Sequence, residues 1–259
     1  MKRRVAFWAT VLVAGFALVI ALGQSQLARR QPGLAQIGFR GSLADPVKYQ
    51  RYKDIDSAVA RLWAKQHNPD IVQAYLQSQG FDLTSACTNE PAQQPIDVAL
   101  DLRIYREAAS GNVLIWGSYD WLGRYNVFPG GYDYLYASFE KPPAGRLYLI
   151  ADDAHNWDNH GGLQDEWIWV DHYDPQGVIW ALADRFYVYP ANYATDNGIV
   201  TLFVTPQADN VVHLGFIHTW NRGKVSVNVA GSAEPVVQAG HPEDVRRTEV
   251  TCDLTAAPR

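Results

Sequence analysis

From residue 95 onward the chain alternates. Ile96, Val98, Leu100, Leu102 and Ile104 take one side of an extended segment, and Asp97, Ala99, Asp101, Arg103 and Tyr105 take the other. A period of two is the pattern of a half-buried strand. Ser110-Gly111-Asn112 turns the chain, and further strand-like runs follow at Val113–Tyr119, Tyr132–Glu140, Arg146–Ala151, Glu166–His172, Val178–Ala183, Phe186–Tyr189, Ile199–Thr205, Val211–Trp220 and Lys224–Ala230. A last run, Glu249–Leu254, reads as an edge strand. The connections are rich in Gly, Pro, Asn and Asp, and Asn197-Gly198 and Arg222-Gly223 suit tight hairpins. Many short strands without crossover helices predict an antiparallel β-sandwich or jelly roll, or a partly closed barrel, rather than a parallel βαβ fold.

Before residue 95 the period lengthens. Asp54 or Asp56 can cap a helix whose Ile55, Val59, Leu62 and Trp63 share one face. Asn68-Pro69 reads as N-cap and first turn of a second helix with Ile71, Val72, Tyr75 and Leu76 as its apolar face. Gly80 fits just past its end. Residues 54–80 thus form a helical hairpin that packs on, or lids, a β domain over 95–254. Residues 24–53, broken by Gln31-Pro32-Gly33, Gly41-Ser42 and Asp45-Pro46, read as a linker.

The N-terminus has a third pattern. Met1-Lys2-Arg3-Arg4 precedes an uncharged, mainly apolar run from Val5 to Leu22. A basic cluster followed by an apolar core is an export signal. The run exceeds the roughly 7–15 residues of a signal-peptide core. It reaches the roughly 18 that span a bilayer. Residues 1–23 are therefore a signal peptide, with Ala21 and Gly23 at a possible cut before Gln24, or a single-pass anchor. Lys2, Arg3 and Arg4 stay on the cytoplasmic side, which puts residues 54–259 outside the cytoplasm, in a bacterial cell envelope.

Composition narrows the partners. With 22 Lys+Arg against 27 Asp+Glu, the chain has no basic excess to support a nucleic-acid role. Two cysteines, Cys87 and Cys252, stand at opposite ends of the β domain, without a Cys-x-x-Cys spacing. In an oxidising compartment they form a structural disulfide.

Candidate chemistry concentrates in one stretch. Asp152, Asp153, Asn156, Asp158 and Asp165 offer the oxygen ligands that Ca²⁺ prefers, and His155, His160 or His172 would shift the choice toward Zn²⁺. The spacing matches neither an EF-hand nor a His-Glu-x-x-His helix. A solvated turn explains the same composition, since Asp and Asn tolerate turn geometry. Trp121, Tyr125 and Trp157 lie among Gly, Asp and Asn, where flat rings could stack on sugars. His213 and His218, five positions apart in one strand, face opposite sides.

Three readings follow. The leading one is a binding module for glycan or another envelope component, built on Trp121, Tyr125 and Trp157. The second is a metal- or carboxylate-dependent hydrolase using Asp153, His155, Asp158, His160 and His172. The third is a structural or assembly subunit.

Overall fold

The computed structural model describes residues 45–89, 98–122, 132–140, 149–158, 160–174, 177–183, 186–188, 191–193, 195–205, 210–219, 226–228, 236–238 and 245–254. The N-terminal segment 1–23, Tyr125 and the Arg222-Gly223 turn lie outside them. Two helices come first, α1 (Pro46–Gln66) and α2 (Pro69–Ser78). The strands are β1 (Phe81–Thr88), β2 (Val98–Glu107), β3 (Val113–Trp121), β4 (Tyr132–Phe139), β5 (Leu149–Trp157), β6 (Ile168–Asp174) and β7 (Gly177–Ala183). They continue with β8 (Phe186–Val188), β9 (Ala191–Tyr193), β10 (Asn197–Val204), β11 (Val211–Thr219), β12 (Ser226–Asn228), β13 (Val236–Gln238) and β14 (Val245–Asp253).

Ten strands form two antiparallel five-stranded sheets, in the orders β1-β2-β3-β10-β5 and β14-β11-β4-β7-β6. Their facing sides make one core. Val98, Leu100, Leu102 and Ile104 of β2 pack with Val200 and Leu202 of β10 against Leu135, Trp180, Leu214 and Phe216 of the other sheet. The β2 residues are the alternating set that the period-two pattern assigned to the interior. This is a β-sandwich.

Helix α1 starts earlier than the periodicity alone suggests. Asp45 is its N-cap, accepting from the Lys48 backbone N–H at 3.0 Å, and Pro46 occupies its first turn. Asp45-Pro46 is thus a helix start, and residues 46–53 belong to α1 rather than to a linker. Asn68-Pro69 repeats the device for α2, with the Asn68 side chain accepting from the Asp70 N–H at 2.9 Å. Gly80, at φ +85°, follows the α2 cap in the left-handed region that glycine enters without strain. Phe81–Thr88, which carries no clear alternation in sequence, is an edge strand beside β2.

The two helices cover the outer face of the first sheet. Tyr52, Ile55, Val59, Trp63, Val72 and Leu76 form a second buried cluster with Phe81, Tyr105, Trp116, Trp157, Ile199 and Phe203. The sheet is therefore buried on both faces, which explains why β3 and β10 are buried almost throughout. The Tyr52 ring stacks on Phe203 at 4.1 Å, and Trp63 meets Trp116 edge-on at 5.4 Å. Polar anchors fix the helices in place. Tyr52 Oη donates to Glu107 Oε2 at 2.7 Å, Arg51 pairs with Glu107, and Arg103 of β2 reaches Asp70 and Gln73 of α2.

Asn197-Gly198 is not a hairpin turn. It opens β10, flanked by β3 and β5. A Cβ on Gly198 would lie 2.5 Å from the Tyr119 ring and 2.6 Å from the His155 carbonyl oxygen. The glycine serves close packing there.

Cys87 and Cys252 are joined, with Cα atoms 5.8 Å apart. The bond ties β1, the edge of one sheet, to β14, the edge of the other.

Candidate functional site

The polar stretch that reads as a loop in sequence is largely strand. β5 carries Asp152 to Trp157 alongside β10, with Asp153 opposite Thr201 and His155 opposite Ile199. Residues two apart on a strand share a face. Asp153 and His155 both point to the outer side, where α1 lies, while Ala154 packs against the sandwich core.

Helix α1 completes the constellation. Asp56 sits in its middle, four positions after Tyr52 and three before Val59, inside the apolar stripe that faces the sheet. It is 2% exposed, and such a carboxylate must be paired. Its Oδ2 lies 3.0 Å from His155 Nε2, and its Oδ1 accepts a hydrogen bond from the Thr201 hydroxyl. On the other side of the imidazole, Nδ1 lies 2.8 Å from Asp165 Oδ2. One turn earlier on α1, Lys53 forms an ion pair with Asp153. Asp56 thus lies at the base, while His155, Lys53, Asp153 and Asp165 are progressively more open to solvent.

The electrostatics follow from this packing. Burial works against charge on His155, but the hydrogen bonds to Asp165 and Asp56 and the charges of Asp56 and Asp153 outweigh it. Together they push its pKa up to about 10. Burial opposes ionisation of Asp56 too, yet its bond to His155 lowers its pKa. Asp153 shifts upward, through burial first and then the charge of Asp56, with Lys53 partly offsetting both. At neutral pH His155 is an imidazolium held between two carboxylates.

The described side chains of the predicted oxygen-ligand set do not converge. Asp158 Oδ1 accepts from the His160 and Gly162 N–H groups at 2.9 and 2.8 Å, and its Oδ2 accepts from Gln164 Nε2 at 2.9 Å. It is a buried turn cap, the role that Asp so often takes in turns. Asn156 is fully buried in β5, and Asp152 lies on the same strand opposite Leu202. Of the four whose side chains are described, Asp153 and Asp165 reach the cluster, and Asp165 touches the far side of His155. Of the hydrolase residues, Asp153 and His155 meet. His160 is exposed on the turn after β5, and His172 stands on β6 of the opposite sheet.

The stacking residues are also displaced from their expected role. Trp121 is 6% exposed and lies in the sandwich core, edge-on to Phe216 at 5.5 Å and to His218 at 5.1 Å. Trp157 is 1% exposed, in the cluster under the helices. Both rings are covered by protein, because each ends a strand whose neighbours are themselves packed. A sugar could not stack on either ring in this fold. His213 and His218 do face opposite sides. His213 pairs with Glu249 at 3.0 Å and His218 with the buried Asp133 at 2.9 Å.

Among the described residues, Asp56, Asp153 and His155 are the one group of three metal-type ligands whose donor atoms all lie within 4.8 Å of one another. Sequence reasoning named two of them and missed Asp56, Lys53 and Thr201. The signal for Asp56 was available: a charged residue inside an apolar helical stripe needs a buried partner.

No protein-family model matches the sequence, and a search of curated proteins finds no relative. Among solved structures, one reported for the pH-induced modulation of Streptococcus parasanguinis adhesion by Fap1 fimbriae aligns over 70% of this chain and 93% of its own, at 8% identity and a TM-score of 0.32. The macrocyclization enzyme AvmM of alchivemycin A biosynthesis aligns over 63% of this chain and 91% of its own, at 13% identity and a TM-score of 0.27. At these scores neither likeness bears on function. The class defined here is a disulfide-bridged antiparallel β-sandwich with a helical cap.

Proposed function

We propose that this chain is an exported cell-envelope protein whose β-sandwich acts outside the cytoplasm as a binding module for a glycan or another envelope component. The observation that carries the address is the Cys87–Cys252 bond between the edge strands of the two sheets. Disulfides of this structural kind form and persist in oxidising compartments. The basic cluster Lys2-Arg3-Arg4 and the apolar run to Leu22 support the same address. Of the three aromatic candidates, Tyr125 remains for a glycan surface, since Trp121 and Trp157 are spent on packing.

The test has two arms. The full chain and a form lacking residues 2–23 are expressed in a Gram-negative host, fractionated, and alkylated with and without reduction. The full chain should appear in the envelope fraction with both thiols protected until reduced. A soluble cytoplasmic full chain with two free thiols overturns the reading. Sedimentation of the purified full chain with insoluble envelope polysaccharide, compared with Tyr125→Ala, tests the ligand. Equal sedimentation of both sinks the role of Tyr125.

A metal-dependent hydrolase is the second reading, favoured by the meeting of Asp153 and His155 with Asp56. Asp158, His160 and His172 no longer belong to it.

A further inference from the structure

We propose that Asp56, Asp153 and His155 bind one divalent transition-metal ion of the Zn²⁺ type between α1 and the outer face of the first sheet. The ligands come from two elements that the fold must hold together. Asp56 descends from α1, and Asp153 and His155 rise from one face of β5, with all three donor atoms within 4.8 Å. A nitrogen with two carboxylate oxygens suits Zn²⁺ and its neighbours, whereas Ca²⁺ wants six to eight oxygens. Three protein ligands leave a fourth tetrahedral position for water. Asp153 and His155 are partly open to solvent, so the ion has an entry path.

Two groups outside the ligand set are placed as supports. Asp165, on the 3-10 turn Asp165–Trp167, holds His155 Nδ1 at 2.8 Å and so aims Nε2 at Asp56. A carboxylate behind a histidine in this way orients the ring and raises its basicity toward a metal. Thr201 donates to Asp56 Oδ1, which leaves Oδ2 as the oxygen facing the imidazole. The charge also matches. With His155 neutral, the carboxylates of Asp56, Asp153 and Asp165 against the single ammonium of Lys53 leave an excess that one divalent cation cancels. The proposal concerns binding of the ion and stands whether or not the site hydrolyses anything.

The experiment uses the full chain in detergent, stripped with EDTA and dialysed. Titration with Zn²⁺ by calorimetry should give one ion per chain, and Co²⁺ should produce a visible ligand-field band that Zn²⁺ removes. Asp165→Asn, which keeps all three ligands, should weaken Zn²⁺ binding by about 10–100-fold. Asp153→Asn, at the open rim, should abolish the Co²⁺ band. Circular dichroism in EDTA confirms that each variant is folded. Asp158→Asn, a turn cap beside the site, should leave affinity within about twofold of wild type, well inside the loss set for Asp165→Asn. Failure of the wild-type chain to bind Zn²⁺ or Co²⁺ overturns the proposal. So does undiminished binding in folded Asp153→Asn, which would put the ion elsewhere, or a preference for Ca²⁺ over Zn²⁺.

Discussion

Asp56 and His155 stand ninety-nine positions apart in the chain and 3.0 Å apart in the fold. One lies in the buried stripe of α1 and the other on the outer face of β5. Their contact, backed by Asp165 and Thr201, is where the helical cap and the sandwich are chemically joined.

Removing one side of that join should cost much more than a surface ion pair does. In Asp56→Ala, the His155 charge loses its buried counter-charge and the Thr201 hydroxyl loses its acceptor. Breaking a buried pair in this way typically costs about 3–5 kcal/mol. Urea unfolding followed by Trp fluorescence should show the midpoint fall with little change in slope. A loss below about 1 kcal/mol, the scale of an exposed pair, would mean the contact is not formed in solution.

The second anchor of α1 should be weaker but measurable. Tyr52 Oη donates to Glu107 Oε2 at 2.7 Å and accepts from Asn112 Nδ2 at 2.9 Å. Tyr52→Phe keeps the ring stacked on Phe203 and removes only the hydroxyl. The expected loss is about 1.5–3 kcal/mol, the range for hydrogen bonds to charged groups. The same urea curve reads it.

Losing the disulfide should destabilise the fold without changing it. The bond closes a loop across 165 positions, for which chain entropy predicts on the order of 4–5 kcal/mol. The Cys87→Ala/Cys252→Ala double variant, and the wild type under reductant, should shift together in thermal melting. A shift in the variant alone would trace the loss to packing, since Cys252 is also 2% exposed in the core.

Acid should loosen the outer side of the second sheet. Burial opposes ionisation of Glu249, but hydrogen bonds from His213, Tyr136 and Arg247, and the Arg247 charge, outweigh it and hold its pKa down at about 2. A carboxylate depressed in the folded state contributes stability that is full above its unfolded value, near 4.5, and is lost as pH falls toward 2. Stability measured over that window should fall less steeply in Glu249→Gln than in wild type. Parallel slopes would remove Glu249 from the acid response.

Gly177 offers a test of the strand register. A Cβ there would lie 2.4 Å from the backbone oxygen of Ala137 and 3.0 Å from the Ser138 Cα. Backbone cannot swing aside as a side chain can, so Gly177→Ala must push β7 away from β4. A loss of about 1–3 kcal/mol is expected, the scale of overpacking. A neutral Gly177→Ala would contradict the β4–β7 pairing of Ser138 with Gly177.

Some of this was legible beforehand. Period-two alternation marks β2, and short apolar runs mark β4, β7 and β11, within a few residues of their ends, because β2 buries mainly alternate residues while the other three are buried almost throughout. Asn68-Pro69 and Gly80 announced α2 correctly. The similar pair Asp45-Pro46 reads as a break in sequence, since a proline marks a helix start and a chain break with equal ease. Phe81–Thr88 carries little hydrophobic signal in sequence because most of this edge strand is at least partly exposed and its pattern is broken by a bulge between Leu83 and Ser85. The polar neighbours of Trp121 and Trp157 in sequence suggest exposure. Those neighbours do not decide burial when a second sheet or a helix covers the strand.

The sequence by itself determined the strand-rich class, the two-helix preface and the alternation that makes a sandwich core, because these are local periodicities written into neighbouring residues. It also carried the cysteine pair, though not the strands that pair would join. The tertiary structure alone decided that the helices cover the outer face of the first sheet, that Asp158 caps a turn, and that Asp56 meets His155. Convergence of that kind depends on which face of which sheet a helix lands on, and on strand register across nearly a hundred residues. No short-range pattern in the chain encodes either.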